Sequence, residues 1–263
     1  MTEWNASEYA LISGLQKAMA EEVLALLDLE GSERILDVGC GDGKITAEVA
    51  TRVPRGTVVG VDSSQDMINF ASSHFGPAVR PNLRFEVADA RRLPFQDEFD
   101  LIVSFNALHW VPEQDAALRC IRSAMKSDGR ALLRLVPAGE RKNLENVIEE
   151  TRQSSRWFAY FHDFHDPYLH LNPEQYRALA ERNGLSVRRI HTEAKAWDFK
   201  SRSAFFAFSS VGFVEWTRRL PEAERPAFIN DVLDRYQSMA ADRAGEENTF
   251  KFYQMDVTLA RGR

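Results

Sequence analysis

The chain has 263 residues, 44% hydrophobic and 27% charged, with 14 Gly and 10 Pro, a balance that suits a folded domain and excludes a mainly disordered one. Its formal net charge of −6 supplies no cationic field for a nucleic-acid partner, and no apolar run reaches the ~18 residues of a membrane span. The opening stretch MTEWNASEY is unlike a signal peptide, and two cysteines, Cys40 and Cys120, suit a reduced, cytoplasmic protein.

Residues 1–30 read as an N-terminal helical lid. A helix is expected over 8–29, with Leu11, Leu15, Met19 and Val23 on one stripe. From 31 to 137, β-branched runs alternate with amphipathic stretches. RILDVG, TVVGVD, LRFEVAD, FDLIVSFN and RALLRLV read as buried strands, with helices over 44–53, 65–75 and 113–126 between them. Such alternation predicts an α/β fold, a doubly wound, mostly parallel sheet whose ligands bind beyond the strands' carboxyl ends. Residues 139–171 are rich in aromatics and histidines and fit no regular pattern. A helix over 173–183, capped by Asn172, precedes a strand at 186–199. Two helices follow over 203–219 and 222–241, and FKFYQMDVTLA closes the chain as a strand. Insertions at 138–171 and 201–245 are thus expected to form a helical substrate cap, while 172–200 and 246–263 complete the sheet.

The stretch ILDVGCGDG carries the chemistry. Gly39, Gly41 and Gly43 alternate after the first strand, and Lys44 stands where a dinucleotide fingerprint has its third glycine. Asp37 and Asp42 would repel a pyrophosphate, whereas a ligand with cationic groups is welcome there. S-adenosylmethionine carries an ammonium and a sulfonium, and its carboxylate can still use backbone N–H groups of the turn. Asp62 ends the second strand, placed to bond ribose hydroxyls, and Asp89 ends the third, placed to accept from the adenine amino group. Each acid is also a candidate helix cap, but acids at three successive strand ends converge on one crevice.

With these residues the chain resembles class I S-adenosylmethionine-dependent methyltransferases. LDVGCGDG matches the first motif, VGVDSS the second and VADARRLPF the adenine-contacting segment. The resemblance implies a Rossmann-like seven-stranded sheet whose final strand is antiparallel. It assigns Asp37, Gly39 and Gly41 to the methionine end of the cofactor, and Asp62 with Ser63 to the ribose side. Met67 is assigned near adenine, Asp89 and Ala90 at the adenine edge, and Asn106 near the methionine part. Outside this core, WNASEY, LQKAM, ALHWV and the C-terminal KFYQMDVTLARG resemble trans-aconitate and juvenile hormone acid methyltransferases, which esterify small carboxylates. In that group the positions matching Gln16 and Trp110 lie at the substrate carboxylate.

A carboxylate is already a nucleophile at neutral pH, so positioning and exclusion of water suffice. Gln16 and Trp110 are neutral donors suited to orienting it; otherwise the first is an exposed helix residue and the second is core. Trp4 and Tyr9 either face the sulfonium through cation–π attraction or pin the first helix. His109 is a candidate base for a hydroxyl acceptor, or a structural histidine. His162, Asp163, His165, Asp166 and His170 lack helical zinc spacing, so no metal is expected. Trp157, Phe158, Tyr160, Phe161 and Phe164, with Phe205, Phe206, Phe208, Phe213 and Trp216, suggest an apolar acceptor site. Arg91, Arg92 and Arg134 keep a polyacid open, since an arginine can clamp a second carboxylate. The leading expectation is esterification of a small, partly apolar acid. The alternatives are base-assisted transfer to carbon, hydroxyl or amine, and a nicotinamide oxidoreductase.

Overall fold

The strand-and-helix alternation folds as a seven-stranded sheet in the order β3-β2-β1-β4-β5-β7-β6. The computed structural model describes residues 13–262, the side chains of residues 13, 14, 16 and 17 excepted. The strands are β1 (Arg34–Val38), β2 (Thr57–Asp62), β3 (Leu83–Val87), β4 (Phe99–Phe105), β5 (Met125–Leu135), β6 (Leu185–Asp198) and β7 (Thr249–Arg261). Neighbours from β3 through β5 run parallel, and β7 pairs antiparallel with β5 from Arg130↔Ala260 to Leu135↔Met255. Strand order reverses between β1 and β4, where ligands of such sheets bind.

The helices are α1 (Ser13–Ala25), α2 (Lys44–Arg52), α3 (Gln65–Phe75), α4 (Gln114–Ala124), α5 (Leu144–Arg152), α6 (Pro173–Arg182), α7 (Arg202–Gly212), α8 (Val214–Thr217) and α9 (Arg225–Ala240). Two compact units divide the chain. Of the described residues, the first holds those up to 137, 170–192 and those from 255 on, and the second holds 138–169 and 193–254. Residues 193–200 and 246–254, assigned from sequence to the sheet-completing segments, thus fall in the second unit.

In the first unit, β1 is buried on both faces, as a central parallel strand must be. Leu36 and Val38 join one apolar cluster with Leu118 and Ile121 of α4 and Tyr176 and Leu179 of α6. Ile35 joins the opposite cluster with Ala47, Val49 and Ala50 of α2. This two-residue period sets Asp37 on the α2 side of the sheet.

In the second unit, α9 buries Phe228, Ile229, Val232 and Leu233, and α5 buries Leu144, Val147, Ile148 and Thr151. Helix α5 lies in the stretch expected to be irregular, and this is a correction. Its buried spacing is helical, and an Asn143–Asn146 capping box starts it. The single helix expected over 203–219 instead divides at Phe213 into α7 and α8. Strand β5 begins at Met125, directly after α4, rather than at Arg130.

Candidate functional site

Where β1 ends, backbone hydrogen bonds tie the turn to β2: Gly39 N and Cys40 N both donate to Val61 O, at 2.8 and 3.0 Å. Gly39 has φ 78° and Gly41 φ 53°, the left-handed region that favours glycine. Their surroundings differ. A Cβ on Gly39 would stand 2.2 Å from Ala107 Cβ, whereas one on Gly41 would meet nothing within 4 Å. One glycine lets two chain segments touch, and the other borders open space.

Asp62, half-buried at the end of β2, accepts the Gly41 N–H at 3.0 Å through Oδ2 and the Ser64 N–H at 2.9 Å through Oδ1. Ser64 caps α3 by accepting from Met67 N at 3.3 Å, and Met67 is buried. Ser63 lies half-buried between the two. Asp42 accepts the Lys44 N–H at 3.1 Å and pairs with Lys44 Nζ at 3.1 Å.

Asp37 is 3% exposed, and its Oδ2 accepts from Thr46 Oγ1 at 2.6 Å. Burial pushes its carboxyl up to about 7; the Thr46 hydroxyl pulls it down and the nearby Asp62 charge pushes it further up. No cation among the described residues bonds it. At the third strand end, Asp89 starts the 3₁₀ turn at Ala90–Arg92, accepting the Arg91 N–H at 2.9 Å. The Arg91 guanidinium grips both Asp89 oxygens, Oδ2 at 2.7 Å and Oδ1 at 3.0 Å, and lowers the carboxyl pKa.

After β4, Asn106 takes φ 57° and donates its N–H to Arg134 O at 2.8 Å. Leu108–Trp110 form a 3₁₀ turn with Trp110 half-buried and His109 buried. The His109 Nδ1 accepts the Val136 N–H at 3.4 Å, and the His170 ring stands edge-on at 6.2 Å. Burial, with the second imidazole nearby, drives His109 down to about 3, and burial drives His170 to about 4. Both rings are therefore neutral at physiological pH, and such an imidazole is a poor general base.

The described residues thus bring Asp37, Gly39, Gly41, Asp62 and Asn106 to the carboxyl ends of β1, β2 and β4. Trp4 and Tyr9 lie outside the described residues, and Gln16 lies in α1 with its side chain undescribed. Two of the three candidate arginines are already engaged. Arg91 bonds Asp89 and Glu113, and Arg134, 3% exposed, forks onto Asp256 at 2.7 and 2.9 Å and reaches Glu22 at 3.1 Å. Within the second unit Trp157, Phe161, Phe205, Phe213 and Trp216 are buried, and Trp157 packs edge-on to Phe228 at 5.3 Å. Core packing thus accounts for much of the aromatic content that suggested an acceptor wall.

No group of three or more His, Cys, Asp or Glu able to hold a metal exists among the described residues. No described helix is long and apolar enough to cross a membrane.

Sequence reasoning missed Thr46 and His170 as neighbours of named residues. Thr46 had a signal: a hydroxyl among the apolar inward positions of α2, on the face that strand parity gives to Asp37. His170 had none, being 61 residues from His109 in sequence.

A methyltransferase-domain family model matches residues 35–129. The chain is 30% identical to trans-aconitate 2-methyltransferase of Deinococcus radiodurans, over 98% of each chain. It is 27% identical to juvenile hormone acid O-methyltransferase of Bombyx mori, over 98% of this chain and 97% of that one. The YcgJ protein of Bacillus subtilis shares the fold, with a TM-score of 0.66 at 19% identity over 94% of this chain and 99% of that one.

Proposed function

We propose a carboxylate acceptor from one premise: the chain belongs to the class I S-adenosylmethionine-dependent methyltransferase family, and S-adenosylmethionine is its cofactor. That membership sets aside the nicotinamide reading. The described turn fits the cofactor: Asp37 is a buried carboxyl bonded by no cation among the described residues, and a Cβ on Gly41 would meet nothing within 4 Å. Asp37, Gly39 and Gly41 are the proposed hold on the methionine end, with Asp62 and Ser63 toward the ribose and Met67, Asp89 and Ala90 toward adenine. Asn106 faces the methionine part.

When bound, the cofactor supplies an electrophilic methyl group. The acceptor has to supply the electron pair, and the state of His109 carries this reading. An imidazole held at about 3 does not take a proton from an alcohol or ammonium near neutrality, whereas a carboxylate has none to lose. Trp110 and Gln16 are proposed to orient that carboxylate, and His109 to serve as a neutral neighbour. The trans-aconitate and juvenile hormone acid enzymes among the relatives act on acids by name, which supports the same class. Commitment of Arg91 and Arg134 to internal carboxylates favours a monoacid with an apolar body over a polyacid.

The test is turnover to S-adenosylhomocysteine with matched acids, alcohols and amides spanning tricarboxylates, medium-chain fatty acids and isoprenoid acids. Turnover confined to acids, best with the apolar ones, is the expected result. Turnover with alcohols or amines would move the chemistry to base-assisted transfer.

A further inference from the structure

We infer that Thr46 is a positioning residue for the cofactor's ammonium group: its hydroxyl holds Asp37 Oδ2, fixing the carboxylate and selecting its ionised form. This rests on the reading that Asp37 receives the methionine end of S-adenosylmethionine.

Thr46 is fully buried on α2, where the other inward residues, Ala47, Val49 and Ala50, are apolar. A buried hydroxyl has to find an acceptor. A helical threonine commonly bonds the carbonyl one turn back, yet here Thr46 Oγ1 donates across the helix–sheet interface to Asp37 Oδ2 at 2.6 Å. Among the described residues this is the one hydrogen bond to the Asp37 side chain. A hydrogen bond to a charged acceptor is stronger than one to a neutral acceptor, so the hydroxyl biases the carboxyl toward the anion that an ammonium requires.

Little else among the described residues favours that anion. In the sheet, Asp37 is in register with the uncharged Gly60 and Val103. Asp62 at the end of β2 opposes ionisation. Within the turn, Cys40 is a thiol held well above its ordinary value, and Asp42 is paired with Lys44. Burial and the Asp62 charge already hold the carboxyl above its ordinary range against the pull of Thr46, so loss of the one donor moves it further toward the protonated form.

The test is calorimetric binding of two probes to the full chain. S-adenosylhomocysteine carries the amino-acid group and 5′-methylthioadenosine lacks it. Thr46→Val should weaken S-adenosylhomocysteine about tenfold at pH 7, leave methylthioadenosine within about twofold, and lose less as pH rises toward 8.5. Thr46→Ser, which keeps the hydroxyl, should bind as the parent does. Equal weakening of both probes, or none for S-adenosylhomocysteine, overturns the proposal. Asp37→Asn separates the underlying reading. If it binds S-adenosylhomocysteine as the parent does, Asp37 does not receive the ammonium and the proposal falls with it. If Asp37→Asn is weak and Thr46→Val is normal, only the role of Thr46 is wrong.

Discussion

Asp62 accepts the Gly41 N–H at 3.0 Å from a position 21 residues further along the chain. One carboxylate therefore shapes the glycine turn and, through the Ser64 N–H at 2.9 Å, the start of α3. Asp62→Ala removes the acceptor of two backbone donors, one on half-buried Gly41 and one on buried Ser64, and should cost about 1–3 kcal/mol in urea unfolding. It should also weaken S-adenosylhomocysteine at least tenfold. Asp62→Asn retains one acceptor oxygen and should lose less of both. An unchanged unfolding midpoint for Asp62→Ala would show that the turn stands without it.

Two glycines of one turn should respond differently to the same methyl group. Gly39→Ala drives its Cβ to 2.2 Å from Ala107 Cβ at φ 78°, and should cost about 3 kcal/mol or more. Gly41→Ala meets nothing within 4 Å at φ 53°, so its cost should be about 1 kcal/mol of left-handed backbone. Gly41→Ala should nonetheless bind cofactor poorly, because its methyl group enters the open space. Thermal unfolding paired with calorimetry separates the two, and equal melting temperatures would contradict the close contact.

Stability of the cofactor-free protein should depend on Asp37 with an inverted sign. Its folded pKa of about 7 lies above the ordinary 3.8, so between these values the folded state binds more protons than the unfolded one. The stabilisation associated with the protonated form is complete below pH 4 and is lost as pH rises through 7. Its upper bound is about 4 kcal/mol. Asp37→Asn should flatten this part of the stability–pH curve. A parent curve that rises from pH 5 to 7 while the curve of the Asp37→Asn variant does the same would remove Asp37 as a contributor.

At saturating cofactor and acceptor, kcat should show no ionisation from His109 between pH 6 and 9, since its pKa lies near 3. The rate profile of His109→Asn should have the same shape as the parent's. A parent limb near pH 6.5 that vanishes in His109→Asn would restore a base and, with it, the alcohol or amine alternative.

Arg134→Met should destabilise the fold by about 3–5 kcal/mol. It leaves the largely buried Asp256, at 13% exposure, without the forked partner it holds at 2.7 and 2.9 Å. Adding Asp256→Leu should recover part of the loss in chemical denaturation. No recovery would mean that Arg134 acts mainly through Glu22 or through the packing of its stem.

Much of this protein was determined locally. Alternating apolar runs dictated the strands from β1 to β5, and the spacing of Gly39, Gly41 and Gly43 dictated a left-handed turn, because periodicity and turn chemistry act within a few residues. Acids at the ends of β1, β2 and β3 marked the ligand side of the sheet. Helix α5 was equally local, but the polar residues between Leu144, Val147, Ile148 and Thr151 and the aromatic run after it hid its stripe. Tertiary structure decided the rest. Arg134 reads as a candidate clamp until Asp256, 122 residues away, takes it, and His109 reads as either a base or a structural histidine until the fold buries it beside Val136 and His170. Asp37 is an ordinary carboxylate in sequence. It becomes one poised near neutrality because the sheet closes over it and α2 sets a single hydroxyl against it. Burial and long-range partners set the chemistry of a charged group, and neither exists before the chain has folded.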